Sequence, residues 1–227
     1  MHLRLLRRRP TTLRFEFSNG LSATGVLLFS YRHSGAKSSV ILMSDEGRKS
    51  LAVEAANAVA HGEAVLIFDP VLIGENIPGT AEHSQLTNIA QMINTIGERP
   101  LGLQAAQLIA VTKWLQLGEF DGSSTLGSKA SHANIVTKVR METSGPRTQT
   151  IASVSAALKP DLFSALDAHH SIASFNEVFR TPLTYRQAPE LMCLDLYRYF
   201  DFNVFSNMAH GVSVRWDVSD QGAIFWR

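Results

Sequence analysis

The sequence predicts an α/β protein with a doubly wound, mainly parallel sheet and helices on both faces. Short apolar runs typical of strands buried on both faces alternate with helical segments. The clearest runs are Val40-Ile41-Leu42-Met43 and Ala64-Val65-Leu66-Ile67-Phe68, with a helix predicted over 49–61 between them. Ahead of them, two alternating polar–apolar runs flank Ser18-Asn19-Gly20 and predict an antiparallel hairpin. Because there is no internal repeat or linker-like segment, we expect one domain over residues 1–227.

The remaining segments continue the strand–helix alternation. A Gly/Ser-rich loop is expected over 120–131, and Gly97 and Pro100 separate two of the predicted helices. Further helices are predicted over 84–96, 101–117, 151–158 and 190–200, and further strands over 135–141, 163–166 and 212–216.

The composition argues against several function classes. The formal net charge is +1, so the chain as a whole lacks the electrostatic footprint of a nucleic-acid or membrane-surface protein. No apolar stretch approaches the roughly 20 residues that span a bilayer, so we expect a soluble protein. The single cysteine, Cys193, excludes an internal disulfide framework. Since no His or Cys pair has metal-ligand spacing and no Gly-rich phosphate loop follows a strand, we expect no metal and no cofactor.

The beginning of the chain is rich in arginine. Arg4, Arg7, Arg8 and Arg9 fit a transit peptide, but a solvated leader or the remnant of a cut from a longer chain is the favoured interpretation. No long apolar segment follows them, so no secretory signal is predicted and the compartment stays open.

The most informative stretch for function runs from Glu142 to Thr150, between a predicted strand and a predicted helix. It places Ser144 on a tight strand-to-helix turn. α/β hydrolases hold their nucleophile on such a turn, and serine is also a common residue at a helix N-cap. Ser144 is therefore either a candidate nucleophile or a helix cap.

From Ser144 onward the chain resembles the acetyl xylan esterase-like branch of the α/β hydrolases, whose elbow reads Gly-Ala-Ser-Gly-Gly-Gly-Thr-Gln-Thr. The tripeptide Thr148-Gln149-Thr150 is identical. Asp69-Pro70 followed by Gly74-Glu75-Asn76 is similar to the Asp-Pro…Gly-Glu-Ser segment of that superfamily, and the resemblance covers roughly residues 38–216. It implies that Ser144 is the nucleophile and that the Gly145 N–H binds the oxyanion.

The elbow departs from the family pattern at two positions. Glu142 replaces the first glycine and adds a negative charge near the developing oxyanion, and Pro146 stands where a small residue is usual. Arg147 is a candidate to neutralise Glu142. The second oxyanion donor should come from Asp45-Glu46-Gly47, with Gly47 its candidate residue, although the two acids make a poor anion pocket.

The other members of a catalytic triad are harder to place. In this fold the order is serine, carboxylate, histidine. Asp217 or Asp220 fits the carboxylate, but no histidine follows either residue, and we expect the last strand and closing helix of the fold to be missing. Substitutes are Asp167, His169 and His170 at the end of the strand at 163–166, where a histidine could act as general base or the pair could be solvated in a loop.

Two functions follow from these observations. The first is a serine esterase acting on a small ester or an acetylated carbohydrate. The second is a catalytically degenerate domain that binds a partner, another domain or a second copy of itself. A third hypothesis completes the triad with a histidine from a partner chain or a removed C-terminal segment. An exposed apolar patch where the closing helix should lie would favour pairing.

Overall fold

The computed structural model describes residues 10–28, 38–79, 85–117, 138–180 and 184–218. The strands are β1 (Thr11–Glu16), β2 (Ser22–Leu28), β3 (Ser39–Ser44), β4 (Ala64–Asp69), β5 (Val139–Ser144), β6 (Phe163–Ser171) and β7 (Ser213–Val218). The helices are α1 (Ala52–Ala60), α2 (Leu86–Thr95), α3 (Pro100–Leu117), α4 (Pro146–Leu158), α5 (Asn176–Arg180), α6 (Leu196–Tyr199) and α7 (Phe202–Met208). Short 3₁₀ turns lie at Arg48–Leu51, Gly74–Asn76, Pro160–Leu162 and Pro189–Met192.

The seven strands form one mixed sheet in the order β1-β2-β4-β3-β5-β6-β7. β1 and β2 are antiparallel, β2 is antiparallel to β4, and the strands from β4 to β7 are parallel. The predicted hairpin and the predicted mainly parallel sheet are therefore confirmed. The described sheet ends at β7, with no further strand or closing helix among the described elements.

The two faces of the sheet are covered differently. α3, α4 and α7 pack on one face over the largest core cluster, which includes Ile41, Phe68, Met141 and Leu166. On the other face, α1 packs over residues of β3 and β4, and this cluster includes no described residue of β5, β6 or β7. The half of the sheet that would carry the catalytic groups of a hydrolase is thus left without a described apolar layer on that face.

Several predicted elements are wrong in extent, among them α4, which begins at Pro146 and not at Ile151. β5 continues through Ser144, and β6 is nine residues long, so Asp167, His169 and His170 lie on a strand and not in a loop. The helix predicted over 190–200 is replaced by a 3₁₀ turn and the one-turn α6. The predicted loop at 120–131 and residues 135–137 lie outside the described residues.

Candidate functional site

In the turn between β5 and α4, the residue with a left-handed backbone conformation is the one after Ser144. Ser144 is the last residue of β5, and Gly145 makes the turn with φ of +103° before Pro146 opens α4. Positive φ at described non-glycine residues occurs only at three other positions: Leu72, His170 and Asp195. Because Gly145 is the N-cap residue, the helix-cap interpretation of Ser144 is wrong. A hydrolase elbow, in contrast, puts its serine on the strained residue itself.

The backbone N–H groups at the start of α4 are already hydrogen bonded. The Gly145 N–H donates to the carbonyl oxygen of His169 at 3.0 Å. Pro146 has no N–H to offer. The next two N–H groups, of Arg147 and Thr148, donate to the Asp45 carboxylate at 2.9 and 2.7 Å. No free N–H is therefore directed from this turn at an oxyanion.

Asp45 is the residue that closes this helix end. Its Oδ1 also accepts a hydrogen bond from the Thr148 hydroxyl at 2.9 Å. A Cβ placed on Gly145 would lie 2.4 Å from Asp45 Cγ, so only glycine allows this approach. Burial raises the pKa of the Asp45 carboxyl from its ordinary 3.8 to about 6, although the nearby Arg147 guanidinium and the donors at the helix end favour the ionised form. The anion position at this helix N-terminus is thus filled by the protein's own carboxylate.

The loop after β3, expected to supply the second oxyanion donor, has its own N–H groups engaged. The Asp45 N–H donates to the carbonyl oxygen of Ser144 at 2.9 Å, and the Gly47 N–H donates to that of Ser44 at 2.9 Å. The Glu46 N–H donates to Ser44 Oγ at 3.2 Å. A Cβ on Gly47 would meet Gly74 Cα at 2.6 Å, so this glycine is required by close contact between two loops.

Arg147 does not neutralise Glu142, and this expectation is corrected. Its guanidinium is buried and forms a two-point ion pair with the buried Glu190, with its Nη2 also donating to the carbonyl oxygen of Leu72 at 2.9 Å. Glu142 is instead paired with Arg140, at 2.8 Å. The attraction of Glu190 keeps the pKa of Arg147 above its ordinary value against the effect of burial. Arg147 therefore ties α4 to the turn at Pro189–Met192.

Residues of β5, β6 and β7 line a groove of about 330 Å³ on the sheet face that α1 leaves uncovered. Arg140 Nη1 lies 3.5 Å from Asp167 Oδ2, and Arg215 Nε lies 2.7 Å from Asp167 Oδ1. Arg140 also reaches Glu63 at 2.9 Å. The groove lining is Arg140, Glu142, Asp167, Ala168, His169, Arg215, Trp216 and Asp217. Most of the side chains that line the groove are therefore ionisable, with Ala168 and Trp216 as its apolar members.

The groove collects most of the predicted catalytic residues. His169 is the register partner of Ser144 on the neighbouring strand, and its Nε2 lies 3.6 Å from Glu142 Oε1. Asp217 lies on β7 and lines the groove, whereas Asp220 lies outside the described residues. His170 is exposed, with φ of +51°. The structure thus places Ser144 beside His169.

The described residues contain no group of three or more His, Cys, Asp or Glu side chains that could hold a metal ion. None of the helices in the described ranges is long and apolar enough to cross a membrane.

Comparison with solved structures places the chain in a known fold. A putative acetyl xylan esterase from Bacteroides fragilis matches with a TM-score of 0.71 and 12% identity, over 92% of this chain and 58% of that one. A puromycin-hydrolyzing peptidase from Mycobacterium tuberculosis matches with a TM-score of 0.57 and 12% identity, over 92% and 30% of the two chains. A cold-adapted esterase from an Arctic intertidal metagenomic library matches with a TM-score of 0.51 and 11% identity, over 95% and 86%.

The chain has the α/β-hydrolase fold. Its likeness to the Bacteroides fragilis structure confirms, at the level of the fold, the relationship predicted from the elbow. This chain spans 58% of the length of that protein. No protein-family model and no curated protein matches the sequence.

Sequence reasoning missed the contacts that close the turn. The pairing of Asp45 with the start of α4 joins residues 102 positions apart, and the pairing of Arg147 with Glu190 joins residues 43 positions apart. The only signal was the acid pair after β3, which was interpreted as a poor anion pocket without identifying the helix end that it faces.

Proposed function

We propose that this chain is a non-catalytic α/β-hydrolase-fold domain that functions as an interaction module. One observation carries the proposal: the N–H groups expected to bind an oxyanion are hydrogen bonded within the protein, and Asp45 fills the helix end. Loss of a single oxyanion donor reduces kcat by about 100- to 1,000-fold in a serine hydrolase. Here neither of the two expected donors is free.

Electrostatics supports the same proposal. Ester hydrolysis by serine develops a negative charge on the carbonyl oxygen, which a hydrolase places near the N-terminus of the helix after the nucleophile. In this chain that oxygen would approach the Asp45 carboxylate. At neutral pH two negative charges would share the helix end, since a pKa of about 6 leaves Asp45 mostly ionised.

A second function, serine ester hydrolysis, is favoured by one specific arrangement. Ser144 and His169 are register partners, and Glu142 lies within 3.6 Å of the His169 ring. In this scheme His169 would take the Ser144 hydroxyl proton as the serine attacks an ester carbonyl, and Glu142 would hold the imidazole. The substrate would be a small ester or an acetylated carbohydrate, by analogy with the acetyl xylan esterase-like fold. The scheme still lacks an oxyanion donor.

Fluorophosphonate labelling followed by intact-mass measurement separates the two functions. The samples are the unmodified protein, Ser144→Ala, His169→Ala and, as a matched control, Ser164→Ala, which changes an exposed strand serine. We expect no adduct on any of them, with a known serine hydrolase labelled in parallel. An adduct that survives Ser164→Ala and disappears in Ser144→Ala and His169→Ala would refute the non-catalytic proposal and support hydrolysis.

A further inference from the structure

β7 is an edge strand of the described sheet. It pairs with β6 on one side, and within the described ranges no strand pairs with its other side. The Asp217 carbonyl oxygen faces β6, where it accepts a hydrogen bond from Ser171 Oγ at 2.9 Å. Because backbone groups alternate in direction along a strand, those of Val214, Trp216 and Val218 point outward. Such an edge is a template for another strand.

The sequence of this edge is complementary to itself. A twofold axis at Trp216 sets the strand antiparallel to a second copy, so that Arg215 lies opposite Asp217 of the second copy and Val214 lies opposite its Val218. Both Arg215 and Asp217 are exposed, and the Arg215 side chain is 74% accessible. Only its Nε is bonded to Asp167, which leaves the terminal nitrogens directed at solvent.

The hydrogen-bonding pattern fits the same register. Trp216 would form a hydrogen-bonded pair with Trp216 of the second copy, because its backbone groups point outward. Arg215 and Asp217 of the second copy would then form a non-hydrogen-bonded pair, the type in which facing side chains lie closest. The strand therefore meets the two requirements of an edge partner: outward backbone groups in register, and opposite charges face to face.

We propose that two copies of this chain associate through antiparallel pairing of their β7 edges, joining two seven-stranded sheets into one. β7 of a second copy presents an acid opposite Arg215 and a base opposite Asp217, and this complementarity identifies a second copy as the occupant. The second copy would be the partner in the interaction role proposed above, and this inference rests on that proposal. Its test measures oligomeric state and not serine labelling, so either proposal can fail alone.

The experiment is sedimentation equilibrium on the full chain, with circular dichroism to confirm folding. Arg215→Asp and Asp217→Arg each place like charges in two symmetric pairs, so each is expected to weaken the dimer by at least about tenfold. An equimolar mixture of the two variants restores both pairs, as does the double exchange within one chain. Arg14→Asp on β1, the other edge strand, is the matched control and is expected to leave association unchanged.

Recovery in the mixture is the decisive result, because a variant that had merely lost its fold could not be rescued by its counterpart. A monomeric unmodified protein at the highest soluble concentration overturns the proposal. A dimer whose stability is unchanged by both charge reversals also overturns it, because association would then use another surface. A mixture of the two variants that stays monomeric overturns it as well.

Discussion

Replacement of Asp45 by asparagine tests whether burial controls the electrostatics of the turn. The folded protein holds this carboxyl at a pKa of about 6, against an ordinary value of 3.8. The folded state therefore binds the proton more tightly than the unfolded state does. At 1.36 kcal/mol per pH unit, the ionised carboxylate destabilises the fold by about 3 kcal/mol above pH 7. Stability from the protonated group is fully present below pH 3.8 and is lost as the pH rises through about 6.

The asparagine variant lacks this titration. Its amide keeps one acceptor for Thr148 but turns an NH₂ group toward the Arg147 N–H, which gives a pH-independent loss of about 1–3 kcal/mol. The informative quantity is therefore the difference between the two free energies of unfolding, measured with urea from pH 4.5 to pH 8. We expect the unmodified protein to gain about 2 kcal/mol relative to Asp45→Asn between pH 7 and pH 4.5.

The opposite slope would refute the argument. If the three hydrogen bonds, the helix dipole and Arg147 outweighed burial, the pKa of Asp45 would lie below 3.8 in the folded protein. The unmodified protein would then lose stability in acid relative to the variant. Parallel curves would mean that the pKa of Asp45 is the same in the folded and unfolded chains, with burial fully offset by Arg147 and the hydrogen bonds.

Two further predictions concern the same turn. Glu190→Gln leaves the Arg147 guanidinium buried without its counter-charge and should lower the free energy of unfolding by about 3–5 kcal/mol, whereas changing both residues to methionine should recover much of that loss. Thermal melts of the single and double variants check this, and equal losses would contradict it. Gly145→Ala adds a Cβ 2.4 Å from Asp45 Cγ and should destabilise the protein by about 1–3 kcal/mol more than Gly20→Ala, whose φ is +80° in open space. Urea titrations of both variants measure the difference. Similar losses would show that the Asp45 side chain can move away from the added Cβ at little cost in stability.

The fold could be predicted where burial imposes a local pattern. The runs beginning at Val40 and Ala64 became β3 and β4, because strands buried on both faces consist of nearly continuous apolar runs. The helix predicted over 190–200 failed for a local reason and a tertiary one. Asp195 adopts a left-handed conformation that interrupts the helix, and Tyr197 packs against Phe175 with ring centroids 5.1 Å apart. An apolar stripe on a helix and an aromatic cluster held by distant residues look alike in sequence.

The site was less predictable because its strands break the rule for buried parallel sheets. β5 and β6 carry ionisable residues such as Glu142, Asp167 and His169, a pattern that suits loops or one-sided sheets, so the two strands were predicted to end too early, at residues 141 and 166. Arg140 pairs with Glu142 on its own strand, whereas Asp167 pairs with Arg140 and Arg215 on the two neighbouring strands. Register between strands is not encoded by either strand alone, and the ion pairs were therefore not visible in advance.

The left-handed turn at Gly145 and the capping of α4 by Asp45 depend on each other. A serine introduced at position 145 would push its Cβ into the Asp45 carboxylate. Removing the carboxylate first would strip the start of α4 of its cap. Substitutions that depend on one another in this way are not additive, so a redesign of this turn would have to change Gly145 and Asp45 together.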